Sequence, residues 1–221
     1  MMRADLDLIY DWVPKGAHVL DLACGDGELL ETLARHKGVT GYGLEIDHDG
    51  INACVARGVN VIEHNLDDGL SSFCDNSYDQ VIMTQALQAL RRPDKMLDEM
   101  LRVAEEGIIT FPNFAYWRHR IHLGLRGYMP VSKSLPHAWY DTPNIHLSTF
   151  NDFEHLCREK GLIIVDRAVG WGIIKAIGNR GCGPIYLVKL PFSAFADAKL
   201  ICLSKLIRYP RRYAHVTPLD H

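Results

Sequence analysis

The sequence predicts an α/β fold, an open and mostly parallel sheet with helices on both faces. Three observations predict it. Strand-like and helix-like stretches alternate along the chain, the pattern of parallel strands joined by crossover helices. An apolar strand pattern, Val19 to Leu22, runs into a turn of small residues, Ala23-Cys24-Gly25-Asp26-Gly27, and then into a helical run. A second apolar strand ends in an acid, Glu45, 20 positions after Gly25. With 221 residues, 48% of them hydrophobic, the chain is long enough for one α/β domain with a full core and too short for two comfortable ones.

The elements follow in order. Residues 4–12 predict a short leading helix, closed by Pro14 and Gly16. Strands are expected over 18–22, 40–45, 60–63, 78–83 and 107–111, and helices over 27–35, 49–57 and 93–103. After the fifth strand the alternation breaks. Residues 111–145 hold four prolines, three tyrosines and two tryptophans, with a helix expected over 116–125. A long loop this aromatic is a functional insertion rather than a disordered one, and it is placed, over about 112–147, across the mouth of the site. A helix resumes over 149–160, capped by Thr149 or Asn151 and ended by Gly161. Strands over 162–169 and 185–190 complete the sheet, the last as an antiparallel partner. The main domain is therefore 1–198.

Residues 199–221 stand apart. They carry five Lys/Arg and one Asp, a net +4, against −7 on the other 198 residues. Leu200, Ile201, Leu203, Leu206 and Ile207 recur at helical spacing beside Lys199, Lys205 and Arg208, so an amphipathic basic helix is expected. The ordinary role of such a helix is to dock on its own domain, and peripheral membrane contact is not expected. Arg208-Tyr-Pro-Arg-Arg-Tyr213 mixes bases with aromatics but lies in no recognisable RNA-binding module.

Composition removes several classes. Residues 1–13 carry three aspartates and one arginine with no apolar segment, so no signal peptide is expected. No apolar run reaches the length of a membrane span. Six scattered cysteines without a C-x-x-C pair read as reduced thiols of a cytoplasmic protein. None of the eleven histidines falls in H-E-x-x-H or a Cys/His cluster, so no metal site is expected.

The glycine turn followed by Glu45 places a nucleoside cofactor. Glycine lets backbone approach the ligand where a Cβ would collide, and a carboxylate at the next strand end accepts ribose hydroxyls. A dinucleotide fingerprint needs a third small residue, whose place Leu30 holds. Asp26 and Glu28 would also repel a pyrophosphate, whereas the sulfonium of S-adenosylmethionine is positive. Charge thus favours S-adenosylmethionine, or S-adenosylhomocysteine, over NAD.

Leu20-Asp-Leu-Ala-Cys-Gly-Asp-Gly27 and Leu44-Glu-Ile-Asp47 resemble class I methyltransferases. Further strings are more specific: His36-Lys-Gly-Val39, Gly41-Tyr-Gly-Leu-Glu-Ile-Asp47, Ala56-Arg-Gly-Val-Asn-Val-Ile62, Gln85-Ala-Leu-Gln-Ala89, Phe111-Pro-Asn-Phe114 and Trp139-Tyr-Asp-Thr-Pro-Asn-Ile-His-Leu147. Together they resemble the methionine-biosynthesis MetW family over about residues 3–169. The resemblance implies a Rossmann-like class I methyltransferase fold with a mostly parallel seven-stranded sheet. It also implies a place in methionine synthesis beside a homoserine O-acyltransferase that the protein binds and supports. Ala23 departs from the pattern, which usually has glycine there; at positive φ this alanine costs about 1 kcal/mol. Beyond about Gly170 the family's C-terminus is not matched.

The resemblance also assigns contacts. Gly25, Gly27 and Ala23 give backbone access along the methionine part of the ligand. Asp21 orients the turn, reaches the amino group through water, or stabilises the helix N-terminus. Glu45 holds the ribose hydroxyls, Ile46 packs on the adenine face, and Asn65 and Leu66 meet its edge. Asn65 stands where many relatives have aspartate but still accepts from an exocyclic amine. Gln85 faces the transferring methyl. No catalytic base is named, because displacement at a sulfonium runs largely on positioning. Thr84-Gln-Ala-Leu87 replaces the Asn/Asp-Pro-Pro-Tyr/Phe of many amino-group methyltransferases, so nucleic acid is not an expected partner. Tyr116, Trp117, His119, Trp139, Tyr140 and His146 line an acceptor pocket or a protein interface. Three readings stand: an S-adenosylmethionine-binding accessory protein of the acyltransferase, a small-molecule methyltransferase, and last an NAD oxidoreductase, which lacks a Tyr-x-x-x-Lys pair.

Overall fold

The computed structural model describes residues 9–132, 135–169 and 201–208. The strands are β1 (His18–Leu22), β2 (Thr40–Glu45), β3 (Val61–Glu63), β4 (Tyr78–Thr84), β5 (Ala104–Pro112), β6 (Leu162–Val169) and β7 (Ile201–Arg208). The helices are α1 (Glu28–Lys37), α2 (His48–Arg57), α3 (Pro93–Val103), α4 (Trp117–Arg126) and α5 (Phe150–Glu159), with short 3-10 turns at Leu66–Asp68 and Leu87–Ala89. The strands form one sheet in the order β3-β2-β1-β4-β5-β7-β6. The first five are parallel, and β7 runs antiparallel to both β5 and β6.

Both faces of the central strands are covered, which is why they read as almost continuous apolar runs. Leu20, Leu22, Val81, Met83 and Ile109 pack on one face against Met96, Leu97 and Met100 of α3 and Phe153 of α5. Val19, Ile82 and Ile108 pack on the other against Leu29, Leu30 and Leu33 of α1 and Cys54 of α2. Ile9 and Val13 extend that second core. The backbone carbonyls of Tyr10 and Val13 both accept from the Lys37 ammonium, which pins the entering chain to the end of α1. On the opposite side Arg102 grips Glu99 with two nitrogens, donates to the Phe73 and Leu70 carbonyls, and pairs with Asp75 at 2.6 Å. One side chain thereby fixes the segment that leads into β4.

The tail differs from expectation. Residues 201–208 are a strand and not an amphipathic helix. The reason is tertiary. The buried strand β5 has an outer edge whose N–H and C=O groups need partners. β7 supplies them from Glu106↔Ile207 to Pro112↔Ile201, and serves β6 on its other side. That pairing overrides the helical spacing of the apolar residues. Residues 27 and 38 bound α1 as glycines at positive φ, so the helix runs two residues further than expected. The expected strand over 185–190 and helix residues 4–8 lie outside the described residues, while 9–12 are helical.

Candidate functional site

The connections reverse direction between β1 and β4. From β1 the chain steps outward to β2 and β3, and from β4 it steps the other way to β5. In open parallel sheets a crevice opens at such a point, beyond the carboxyl ends of the strands. The residues singled out above are placed along this edge: Ala23 to Gly27 after β1, Glu45 and Ile46 at the end of β2, Asn65 and Leu66 after β3, and Gln85 after β4.

The turn after β1 is strained and closely packed. Ala23 sits at φ +55°, the left-handed region that costs a side-chain-bearing residue about 1 kcal/mol or more. Gly27, at φ +77°, caps α1, and a Cβ there would come within 2.9 Å of Cys54 Sγ. Gly25 exposes its backbone, while its carbonyl accepts from the Cys54 thiol at 3.2 Å. Across the crevice Gln85 is also left-handed, at φ +56°, with its N–H donating to both the carbonyl and the hydroxyl of buried Thr110. Strain of this kind collects where backbone is held for a ligand.

Glu45 is buried and organises the site. One carboxylate oxygen accepts from Gly25 N–H at 2.8 Å, the other from the Ile46 and Asp47 N–H groups at 2.8 and 3.0 Å. An ionised carboxylate offers about four acceptor positions, so roughly one remains for an incoming hydroxyl. Gly50, in the first turn of α2, touches the same assembly. A Cβ there would lie 2.9 Å from the Gly25 carbonyl oxygen and 3.1 Å from Glu45 Cγ.

The other positions divide. Ile46 is 57% exposed, an apolar side chain left uncovered beside the acid. Leu66 belongs to the core, which leaves only its backbone to face the edge. Asn65 Oδ1 accepts from Asp67 N–H at 3.1 Å and caps the 3-10 turn, so the acceptor expected to read an exocyclic amine already has a donor. Asp21 is buried on β1, on the strand face of Val19.

Several contributors escaped the sequence reading. Arg57, at the end of α2, pairs with Asp26 at 2.7 Å and Glu31 at 2.8 Å. Burial raises the Asp26 carboxyl, but the Glu28 N–H and the Arg57 guanidinium together hold it below the usual carboxylate range. The negative field of the turn is therefore weaker than its sequence suggests. Cys24 and Cys54 bring their sulfurs to 3.7 Å as free thiols. Burial, then the charge of Asp21, pushes the Cys24 thiol far up. Gln88 is buried in the turn after Gln85. Its side-chain amide donates to the Pro112 carbonyl and the Ser148 hydroxyl, and its backbone carbonyl accepts from the N–H groups of Ile145 and His146. It joins both ends of the aromatic insertion to the end of β4. The only signal for it was its place in Gln85-Ala-Leu-Gln-Ala89. Neither of two surface hollows, one lined by Glu31, Arg35 and Arg57 and one by Asp67, Asp98 and Glu99, includes Gly25, Glu45 or Gln85. Gly25, Ile46 and Gln85 are exposed at the strand ends, so the candidate site is a shelf. Among the described residues no cluster of three metal-ligating side chains is found, and no helix is long and apolar enough to cross a membrane.

The model of the family described as methionine biosynthesis protein MetW matches residues 3–176. The chain belongs to that family. A bifunctional methionine biosynthesis protein MetXA/MetW of Rhodopirellula baltica is 33% identical over 181 residues, which is 78% of this chain and 29% of that protein. The chain thus spans less than a third of that relative. Solved structures agree on the fold. A SAM-dependent methyltransferase from Archaeoglobus fulgidus superposes with a TM-score of 0.63 at 16% identity, covering 93% of this chain and 92% of that one. A TehB-like SAM-dependent methyltransferase from Corynebacterium glutamicum gives 0.58 at 14% identity, covering 95% and 89%. The sheet of this family member is thus the Rossmann-like class I methyltransferase fold. The family match runs through the glycine turn, Glu45, Gln85 and the whole insertion.

Proposed function

We propose that the shelf at the ends of β1, β2 and β4 binds S-adenosylmethionine or S-adenosylhomocysteine, and that the protein supports or regulates a homoserine O-acyltransferase in the cytoplasm. The observation that carries the ligand is the Glu45 carboxylate gathering the Gly25, Ile46 and Asp47 N–H groups, with Ile46 left uncovered beside it. This arrangement holds the glycine backbone where a methionine moiety lies. It keeps an acceptor for the ribose and offers an apolar surface to a purine. Asp21, Ala23, Gly25, Gly27, Glu45, Ile46, Asn65, Leu66 and Gln85 form the proposed contact set. Asn65 Oδ1 caps a turn with one lone pair and keeps the other for an exocyclic amine, and Leu66, in the core, contributes through backbone. The partner is supported by the relative named MetXA/MetW. A ligand made from methionine can bias the partner only if it binds two states of the pair differently.

Acyltransferase assays with and without the protein, each with and without S-adenosylhomocysteine, test this reading. A rate that depends on the protein and shifts with ligand is expected. Rates unchanged in all four arms would overturn it. A second reading, a small-molecule methyltransferase, is favoured by Gln85, which is exposed and held at positive φ across from the turn. Transfer of labelled methyl from S-adenosylmethionine to a metabolite extract would reveal it.

A further inference from the structure

Exposed apolar side chains are concentrated in one part of this molecule. Among the described residues fifteen large hydrophobic side chains are exposed, and ten of them fall within 121–147. Leu125 is 83% exposed and Tyr128 75%, and they flank Arg126 and Gly127 at the tip of α4. Trp139 and Tyr140 stand edge to face at 5.7 Å, equally uncovered. Residues 118–147 also expose Arg118, Arg120 and Arg126 against one acid, Asp141, in a chain whose net charge is −3. Exposed aromatics and arginines among apolar side chains are the composition of interface hot spots, and exposed arginines select an acidic counterpart.

The segment is also held in place. Gln88 makes four hydrogen bonds to its two ends, the Phe114 N–H donates to the Ser148 carbonyl, and His119 is buried with Nε2 2.9 Å from Ser132 Oγ. A surface fixed in this way loses little freedom on association. Gln88 lies three residues after Gln85, so the proposed ligand shelf and the insertion share one turn.

We propose that this face of the insertion, with the Leu125–Tyr128 tip at its centre, is where the acyltransferase docks, through an acidic and apolar patch of that partner. The inference rests on the partner proposed above, and its ground is the relative carrying both names in one chain together with the charge of the segment.

Binding of the purified homoserine O-acyltransferase from the same organism, followed by interferometry, tests it. The variants are the double substitution Leu125→Ser/Tyr128→Ser, Arg126→Glu, and Val55→Ser as an exposed apolar control on α2. Thermal midpoint and S-adenosylhomocysteine binding confirm that each variant is folded. The double variant is expected to weaken binding about tenfold or more, and Arg126→Glu to slow association and flatten its salt dependence. Val55→Ser should leave binding unchanged. Wild-type binding that all variants share would overturn the docking face and leave the partnership standing. No binding by the wild type would overturn both. Loss of a homodimer in the double variant, with acyltransferase binding intact, would assign the face to a second copy of this chain and overturn the proposal.

Discussion

Ala23 and Gln85 hold left-handed backbone, at φ +55° and +56°, on the two sides of the strand crevice. At Ala23 the strain is that of a methyl group, so Ala23→Gly should not show the usual cost of a new glycine. Relief of about 1 kcal/mol is offset in part by the freedom glycine adds to the unfolded chain. The thermal midpoint is expected to hold or rise by a few degrees. Cys24 and Cys54 carry a second prediction. Burial, then Asp21, raises the Cys24 thiol, and burial raises Cys54 against the opposing hydrogen bond from Cys24. The folded state therefore keeps protons that the unfolded state releases. Stability from these thiols is complete below about pH 8.5 and is lost as pH rises further, at up to ~1.4 kcal/mol per pH unit for each. Denaturant titrations from pH 7 to 10 should fall less steeply for Cys24→Ala/Cys54→Ala than for the wild type.

Among the elements, α5 begins with a full capping box: the Thr149 hydroxyl accepts from Asp152 N–H at 3.2 Å, and Asp152 returns the bond to Thr149 N–H at 2.9 Å. Thr149→Ala is expected to cost about 1 kcal/mol by chemical denaturation. That cap was legible because its chemistry is local, as were the parallel strands, whose buried faces leave apolar runs of diagnostic length. The tail was not legible. Whether Ile201 to Arg208 winds or extends is decided by the open edges of β5 and β6, which its own spacing does not record. The charge of the glycine turn was misread for a similar reason. Arg57 lies 31 residues from Asp26, and only the packing of α2 brings them together.

For the molecule as a whole, the two cores and the reversal between β1 and β4 set where a ligand can lie, and the insertion sets what else the protein can meet. The place of the shelf was legible because the small-residue turn and the strand-end acid mark the ends of β1 and β2. That Glu45 accepts three backbone N–H groups was not legible, since it depends on the loop's final path. Gln88 joins the two regions. Gln88→Leu removes its two amide bonds to the insertion ends, so amide exchange at 113–116 and 145–148 should quicken at least ~tenfold while β1 and β4 stay protected. The most direct test is calorimetric titration of the wild type and Glu45→Gln with S-adenosylhomocysteine and NAD, the variant retaining one acceptor oxygen for the loop. Micromolar binding of the adenosyl ligand alone, weakened about tenfold or more in the folded variant, is the predicted result. Wild-type protein that binds NAD instead, or neither ligand, or a variant that binds as tightly as the wild type, would contradict the shelf as the ligand site.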